Sequence, residues 1–388
     1  MKISSEIQEL LPWMINSRRE LHKIPETCYQ EHKTSGYLQS VLRELSLPYE
    51  TIGTGIVVHI NGDDGSDSAK TIGFRADMDG LTIQEKFESD YKSKHDGRMH
   101  ACGHDGHMAM LLGYAKYLTK NPPKCNICLV FQPAEEGGLG AQKMIDSGKC
   151  DANVYYALHI DPMLETGRFA SKSGELMAGG APIEIIFTGQ SRHTSMRNGK
   201  QDALLACVRF LSRAEKILNT EKSMFQPCVI EGGQADNIIA DRVVVKGSIR
   251  FLNERVFEEM QNRLKTLVNN IKQERLGGVE IAPIEKIYPP LKNSKNAYKP
   301  LLTMDGFKLA KPVWGSEDFA LFTKKYSGAM IWLGAKPTDA EPHSLHCNMF
   351  NFDENAMAVG VQLYKELSEN AEKKYLKESN NEKEIEIC

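Results

Sequence analysis

No apolar run in this 388-residue chain reaches the ~20 residues that span a bilayer. The segment Met1-Lys2-Ile3-Ser4-Ser5-Glu6 leads into a charged, helix-patterned stretch without the uninterrupted apolar centre of a secretory leader. No membrane partner is expected, and the default location is cytoplasmic. An excess of basic charge is also missing. Lys plus Arg total 48 against 51 for Asp plus Glu, a formal charge of -3, so no field draws the chain to nucleic acid. A small-molecule partner is the expectation that remains. Internal repeats are absent, as is a disulfide framework. The nine cysteines run from Cys28 to Cys388 without regular spacing, in a chain long enough to fold without staples. Cys125-Asn-Ile-Cys128 has redox spacing but no helix N-terminus to lower a thiol pKa. It enters an apolar run where a strand sends residues three apart to opposite faces.

With 41% hydrophobic and 26% charged residues, the chain is expected to be globular, and its length exceeds what one core usually serves. Apolar residues at three- and four-residue spacing predict helices over 7–21 and 34–45. Short apolar runs between turn signals predict strands over 56–60, 71–76, 127–131 and 154–159. This is an α/β pattern built on a central sheet. After Gly179-Gly180 the rhythm becomes strand (182–188), helix (203–218), strands (225–232 and 242–251), helix (256–272) and strand (279–287). That β-α-β-β-α-β order predicts a ferredoxin-like unit. The boundaries expected are 1–178 and 292–388 for a discontinuous larger domain, and 179–291 for the inserted one. A last helix is expected over 354–375, followed by a charged, frayed tail from Glu378 to Cys388.

The densest chemistry lies in Met99-His-Ala-Cys-Gly-His-Asp-Gly-His107, where a thiol, three imidazoles and a carboxylate share nine residues. Core packing does not require such a set, and it suits a metal. Glu135-Glu136 follows one apolar run, His159 ends another, and His346 lies near the C-terminus. These extra ligands are too many and too scattered for a simple zinc staple. A loop can present both neighbouring glutamates, one as a ligand and the other for proton transfer. A metal-activated water attacking a carbonyl, with a carboxylate moving the proton to the leaving amine, amounts to amide hydrolysis. Two metals about 3.5–4 Å apart need a bridging, partly anionic set, which Cys102, His104, Glu136, His159 and His346 could provide.

Several motifs in order resemble one family: Arg75-Ala-Asp77-Met-Asp79, the Met99–His107 stretch, Phe131-Gln-Pro-Ala-Glu-Glu-Gly137, Thr188-Gly-Gln-Ser-Arg-His193, Asn237-Ile-Ile-Ala-Asp241, Gly315-Ser-Glu-Asp-Phe319 and Leu345-His346. Together they are similar to the amidohydrolases that include hippurate hydrolase, N-acetyldiaminopimelate deacetylase and the auxin-conjugate hydrolases. The resemblance runs from His22-Lys-Ile-Pro25-Glu26 to the last helix. It implies a metallopeptidase-like α/β catalytic domain, a central mixed sheet flanked by helices, with an inserted ferredoxin-like lid that makes a homodimer. Two divalent ions per subunit, Zn, Mn, Ni or Co, would be held by Cys102, His104, Glu136, His159 and His346, with Cys102 as the bridge. Glu135 would be the general acid/base, and Asp77 would orient a ligand from outside the metal sphere. His193 on the lid would stabilise the developing oxyanion. Asn237 and Arg250 would hold the substrate carboxylate.

The activity implied is hydrolysis of N-acyl amino acids, as a deacetylase or aminoacylase. A dipeptidase or carboxypeptidase with the same centre is the alternative, and a catalytically silent small-molecule-binding protein is the non-enzyme reading. His107, His100, His22 and His343 are expected in outer or surface roles, and Asp79 and Asp318 as caps of a turn and a helix. Two departures stand out. Arg197-Asn198, followed by Lys200-Gln201, occupy the place where the family commonly has Pro-His after the lid histidine, a change that bears on substrate choice. Asp79-Gly80-Leu81-Thr82 replaces the usual Asp-Ala-Leu-Pro, which affects loop stiffness.

Overall fold

The computed structural model describes residues 1–62 and 70–386, with side chains to residue 373. The chain divides into two compact units. One comprises Met1–Leu176, Lys292–Lys311 and Leu321–Cys388, and the other Met177–Leu291 with Pro312–Ala320. The segment Pro312–Ala320, placed with the catalytic domain in the sequence reading, thus groups with the smaller unit.

The larger unit opens with helices α1 (Ser5–His22) and α2 (His32–Glu44) and continues through strands β1 (Tyr49–Ile52), β2 (Gly55–Ile60) and β3 (Thr71–Asp77). Helix α3 (His104–Lys120) and strands β4 (Asn126–Gln132), β5 (Val154–Asp161) and β6 (Phe169–Ser171) follow. With the later strands Phe307–Leu309 and Ser327–Gly334 they form an eight-stranded sheet, ordered β1, β2, β4, β3, β5, Ser327–Gly334, β6, Phe307–Leu309. Its centre is parallel, from β4 through β3 and β5 to Ser327–Gly334, and antiparallel pairs flank it, so the sheet is mixed. The apolar runs of β3, β4 and β5 are buried almost throughout, because helices cover a parallel sheet on both faces. Phe74 of β3 packs edge-on to Tyr114 of α3 and to Tyr364 of the last helix, with ring centroids 5.3 and 4.9 Å away. Helices α1 and α3 approach so closely that a Cβ at Gly113 would stand 2.3 Å from Met14 Sδ.

The smaller unit is an antiparallel sheet ordered Ser223–Gly232, Arg242–Phe251, Gly179–Thr188, Gly278–Ile281. Helices Ala203–Leu218 and Glu254–Gln273 are each started by a side-chain cap, Asp202 on the Leu205 N–H and Asn253 on the Val256 N–H. Alternate residues Ile183, Ile185 and Phe187 of the sheet join Phe210, Leu264 and Leu267 of the helices in a core of their own.

Two expectations need correcting. The strand predicted over 279–287 stops at Ile281, because Pro283 has no N–H for a ladder. The last helix does not fray at Glu378 but runs Ala356–Glu386, through a stretch rich in Glu and Lys and free of Gly and Pro. The final tail residues, 387–388, lie outside the described residues. The eight cysteines among those described are free thiols. No helix among them is long and apolar enough to cross a membrane.

Candidate active site

Parallel strands end on one edge of a sheet, and that edge is where an α/β fold collects functional groups. Here Asp77 ends β3 beside Gln132, the last residue of β4. Glu135 and Glu136 follow β4, His159 lies near the end of β5, and His104 heads α3. Cys102 precedes α3, and the backbone N–H of His346, a left-handed residue with φ 64°, donates to Ala101 O at 2.8 Å. Ligand atoms of Cys102, His104 and His159 lie within 4.8 Å of one another. So do those of Cys102, Glu136 and His346, and those of His104, Glu135 and Glu136. The five predicted ligands and the predicted base therefore meet through shared members.

Hydrogen bonds fix which nitrogen each imidazole presents. His104 donates from Nδ1 to the backbone oxygen of Asp79 at 2.8 Å, and His159 from Nδ1 to that of Ile160 at 2.9 Å. In the neutral ring of each, Nε2 is the nitrogen with the lone pair, and His159 Nε2 stands 3.5 Å from Cys102 Sγ. His107 is different. Its Nδ1 donates to Asp77 Oδ1 at 2.6 Å and its Nε2 accepts the Ile160 N–H at 2.9 Å, so neither nitrogen is left for a metal. Asp77 is also held by Arg75 Nη1 at 2.7 Å, and Arg75 in turn donates to Gln132 Oε1. Asp77 therefore reaches His159 indirectly, through His107 and the Ile160 peptide.

The adjacent glutamates share one site because the backbone between them is irregular. Ala134 is left-handed at φ 56°, Glu136 has φ -74° and ψ 67°, and Gly137 has φ 97°. The Asp79 carboxylate holds this turn by accepting the N–H of Glu135 at 3.1 Å and of Glu136 at 3.0 Å. Its expected capping role is what the structure displays.

The electrostatics suit a cation. Burial alone raises the Asp77 carboxyl, but His104, His107 and Arg75 hold it well below the usual carboxylate range. Burial disfavours charge on His104, yet Asp77, Asp79 and Glu136 raise it to about 10. Burial keeps His159 neutral, and burial with Glu136, Glu135 and Asp77 pushes the Cys102 thiol well up. Carboxylates that raise both an imidazole and a thiol in this way favour positive charge at the cluster. Two buried atoms without a hydrogen-bond partner, His104 Nε2 and Glu136 Oε1, lie in this cluster. Glu136 Oε1 is 3.0 Å from His346 Nε2, close enough for an ion pair though not aligned as a hydrogen bond. The residues fit a borderline divalent ion.

On the smaller unit, His193 is exposed, and its Nδ1 accepts from the Ser195 N–H at 3.2 Å, leaving the proton on Nε2. Ile238, next to Asn237, pairs with His193 across a two-stranded ladder. Arg250 is half-buried and bonds to Ser316 of the Gly315–Phe319 motif, and burial lowers its pKa.

Residues 73–370 match the peptidase family M20/M25/M40. An N-acetyldiaminopimelate deacetylase of Ligilactobacillus salivarius is 33% identical over 367 residues, 90% of this chain and 94% of that protein. The chain belongs to peptidase family M20/M25/M40. Another N-acetyldiaminopimelate deacetylase, from Lactococcus lactis subsp. cremoris, is 33% identical over 90% of this chain and 96% of its own length. Among solved structures, Bacillus subtilis YXEP, a dinuclear metal-binding peptidase of the M20 family, superposes with a TM-score of 0.80 at 27% identity. The match covers 93% of this chain and 98% of that one. An M20 chain of this kind is a hydrolase acting on amides, and its small-molecule partner is the substrate.

His107, His22 and His100, expected in outer or surface roles, are buried. Two features of this M20 site were missed in the sequence. A buried network ties Arg18 Nε and His22 Nδ1 to Asp105 Oδ2, each at 2.7 Å, directly behind His104. Arg75 belongs to the site, and the signal for it was available. Residues 75, 77 and 79 alternate along a strand and its extension, which puts their side chains on one face.

Proposed function

We propose that this M20 chain is a dinuclear, metal-dependent N-acyl-amino-acid amidohydrolase of the deacetylase or aminoacylase type. The observation that carries the reading is the turn that presents Glu135 beside Glu136, within reach of Cys102, His104 and His346. Cys102, His104, Glu136, His159 and His346 would hold two divalent ions. Such ions supply Lewis acidity and bring the pKa of water toward neutrality. Glu135 takes the proton of the attacking water and returns it to the leaving nitrogen. His193, with its proton on Nε2, serves as donor to the carbonyl oxygen as charge develops there. Asn237 and Arg250 hold the substrate carboxylate, a role for which a guanidinium half-withdrawn from water is suited.

The M20 relatives at 33% identity support the acyl-amino-acid class. A homodimer through the smaller unit is supported by its edge strand Ser223–Gly232, where Val229 and Ile230 are 41% and 56% exposed. Free thiols throughout the described residues accord with a reducing, cytoplasmic setting.

The test is amine release from a panel of N-acyl amino acids and dipeptides, using protein stripped of metal and resupplied with Mn²⁺, Zn²⁺, Ni²⁺ or Co²⁺. Metal-dependent release from one acyl-amino-acid class, abolished in Glu135→Gln with metal content retained, is the expected result. Hydrolysis confined to dipeptides, or a Glu135→Gln variant as active as the parent, would overturn it.

A further inference from the structure

The turn that carries Glu135 and Glu136 holds two non-glycine residues, Ala134 and Leu139, in the left-handed region at φ 56° and 52°. Side chains disfavour that region, so the surroundings must impose it. The constraint comes from far away in sequence. Glu31 is fully buried, and its Oε1 accepts the Ala134 N–H at 2.9 Å and the Tyr29 N–H at 2.8 Å. Its Oε2 accepts the Thr54 hydroxyl at 2.6 Å. Tyr29, itself left-handed at φ 60°, sends its hydroxyl to Gly138 O at 2.9 Å, on the far side of the same turn. A Cβ at Gly138 would stand 2.3 Å from Cys28 Sγ and 3.0 Å from Tyr29 Cε2, so the Cys28–Glu31 segment lies flush against the turn. Together with Asp79, three successive N–H groups, of residues 134, 135 and 136, are each held by a carboxylate.

We infer that Glu31 is a positioning residue. By fixing the Ala134 peptide it sets the direction in which the Glu135 and Glu136 carboxylates leave the backbone. It touches no reacting atom, and the inference rests on the proposed hydrolytic role of this site. The carboxylate is needed for its geometry rather than its charge. In Glu31→Gln the amide oxygen can keep both N–H bonds while the amide nitrogen donates to Thr54, whose hydroxyl then accepts. In Glu31→Ala the Ala134 N–H has no acceptor and the left-handed turn is free to relax.

The experiment measures kcat and KM for Glu31→Ala, Glu31→Gln and the double variant Glu31→Ala/Ala134→Gly, together with the visible absorption of each Co²⁺-substituted protein. A displacement of about 1 Å at a catalytic group costs roughly 10²-fold in rate. Glu31→Ala is therefore expected to lose about that factor in kcat with a much smaller change in KM, and to shift the Co²⁺ bands as Glu136 moves. Glu31→Gln should match the parent in both readouts. The added glycine, which adopts the left-handed region freely, should recover much of the loss. Should Glu31→Ala not fold, Thr54→Val releases Oε2 alone and should move both readouts the same way by less. Parental kcat and spectrum in Glu31→Ala, or equal loss in Glu31→Gln, would overturn the inference. If the parent itself turns over none of the panel, the hydrolytic reading fails, and the Co²⁺ spectra still decide the role of Glu31.

Discussion

Replacing Asp79 by asparagine tests whether the glutamate turn is held as described. The two carboxylate oxygens accept one N–H each, from Glu135 and from Glu136. Asparagine keeps a single acceptor oxygen and turns an NH₂ toward the other donor. A hydrogen bond to a charged group contributes about 1.5–3 kcal/mol, and a partly buried N–H left unsatisfied adds roughly 1 kcal/mol, so a loss of roughly 2–4 kcal/mol is expected. At about 2–4 °C per kcal/mol for a domain somewhat smaller than this unit, Tm falls by roughly 5–10 °C. Activity should fall more steeply than stability, by about 10²-fold, because Glu135, the proposed base, leaves its alignment. Scanning calorimetry with steady-state kinetics, at a temperature where both proteins are folded, separates the two effects. An Asp79→Asn protein with the parent's Tm and kcat would refute the view that this carboxylate sets the turn.

Two other predictions follow from the geometry. Burial, and to a lesser extent Arg18, lower the pKa of His22, but Asp105 and Glu85 together outweigh them, and the net shift is upward. A raised folded pKa contributes stability that is fully present below the unfolded value of about 6.5 and is lost as pH rises through the higher folded value. Urea titrations at several pH values should therefore show the gap between the parent and His22→Gln narrowing above about pH 6.5, by at most ~1.4 kcal/mol per pH unit; a gap that widened with pH would contradict this. In the smaller unit, Ile230→Lys places a charge on the exposed edge strand, and light scattering should find monomer in place of dimer. A parent that is already monomeric would remove the dimer from the proposal.

Much of the fold was legible because its elements follow simple periodicity. The helix expected over 203–218 is observed as Ala203–Leu218, and the strand expected over 242–251 as Arg242–Phe251. Where periodicity continued past a chemical barrier it misled, as at Pro283. The metal-ligand candidates were legible because their residue types are unusual at such density and the motifs resemble one family. The support around them was not. Glu31 meets Ala134 across 103 positions, and Arg18 meets Asp105 across 87. A single carboxylate in a polar segment reads as solvated surface until the fold buries it. For His107 the sequence left an outer and a surface role open: helical spacing from His104 told which face it shared, but not that Asp77 would rise from β3 to meet it.

His104 and His159 each direct Nε2 inward by donating Nδ1–H to a main-chain carbonyl, those of Asp79 and Ile160. A carbonyl of the backbone survives every substitution of the side chain attached to it. The orientation of these two candidate ligands is thus shielded from point mutation in a way that a carboxylate partner would not be. Replacing the side chain of Asp79 or Ile160 leaves in place the acceptor that aims each imidazole.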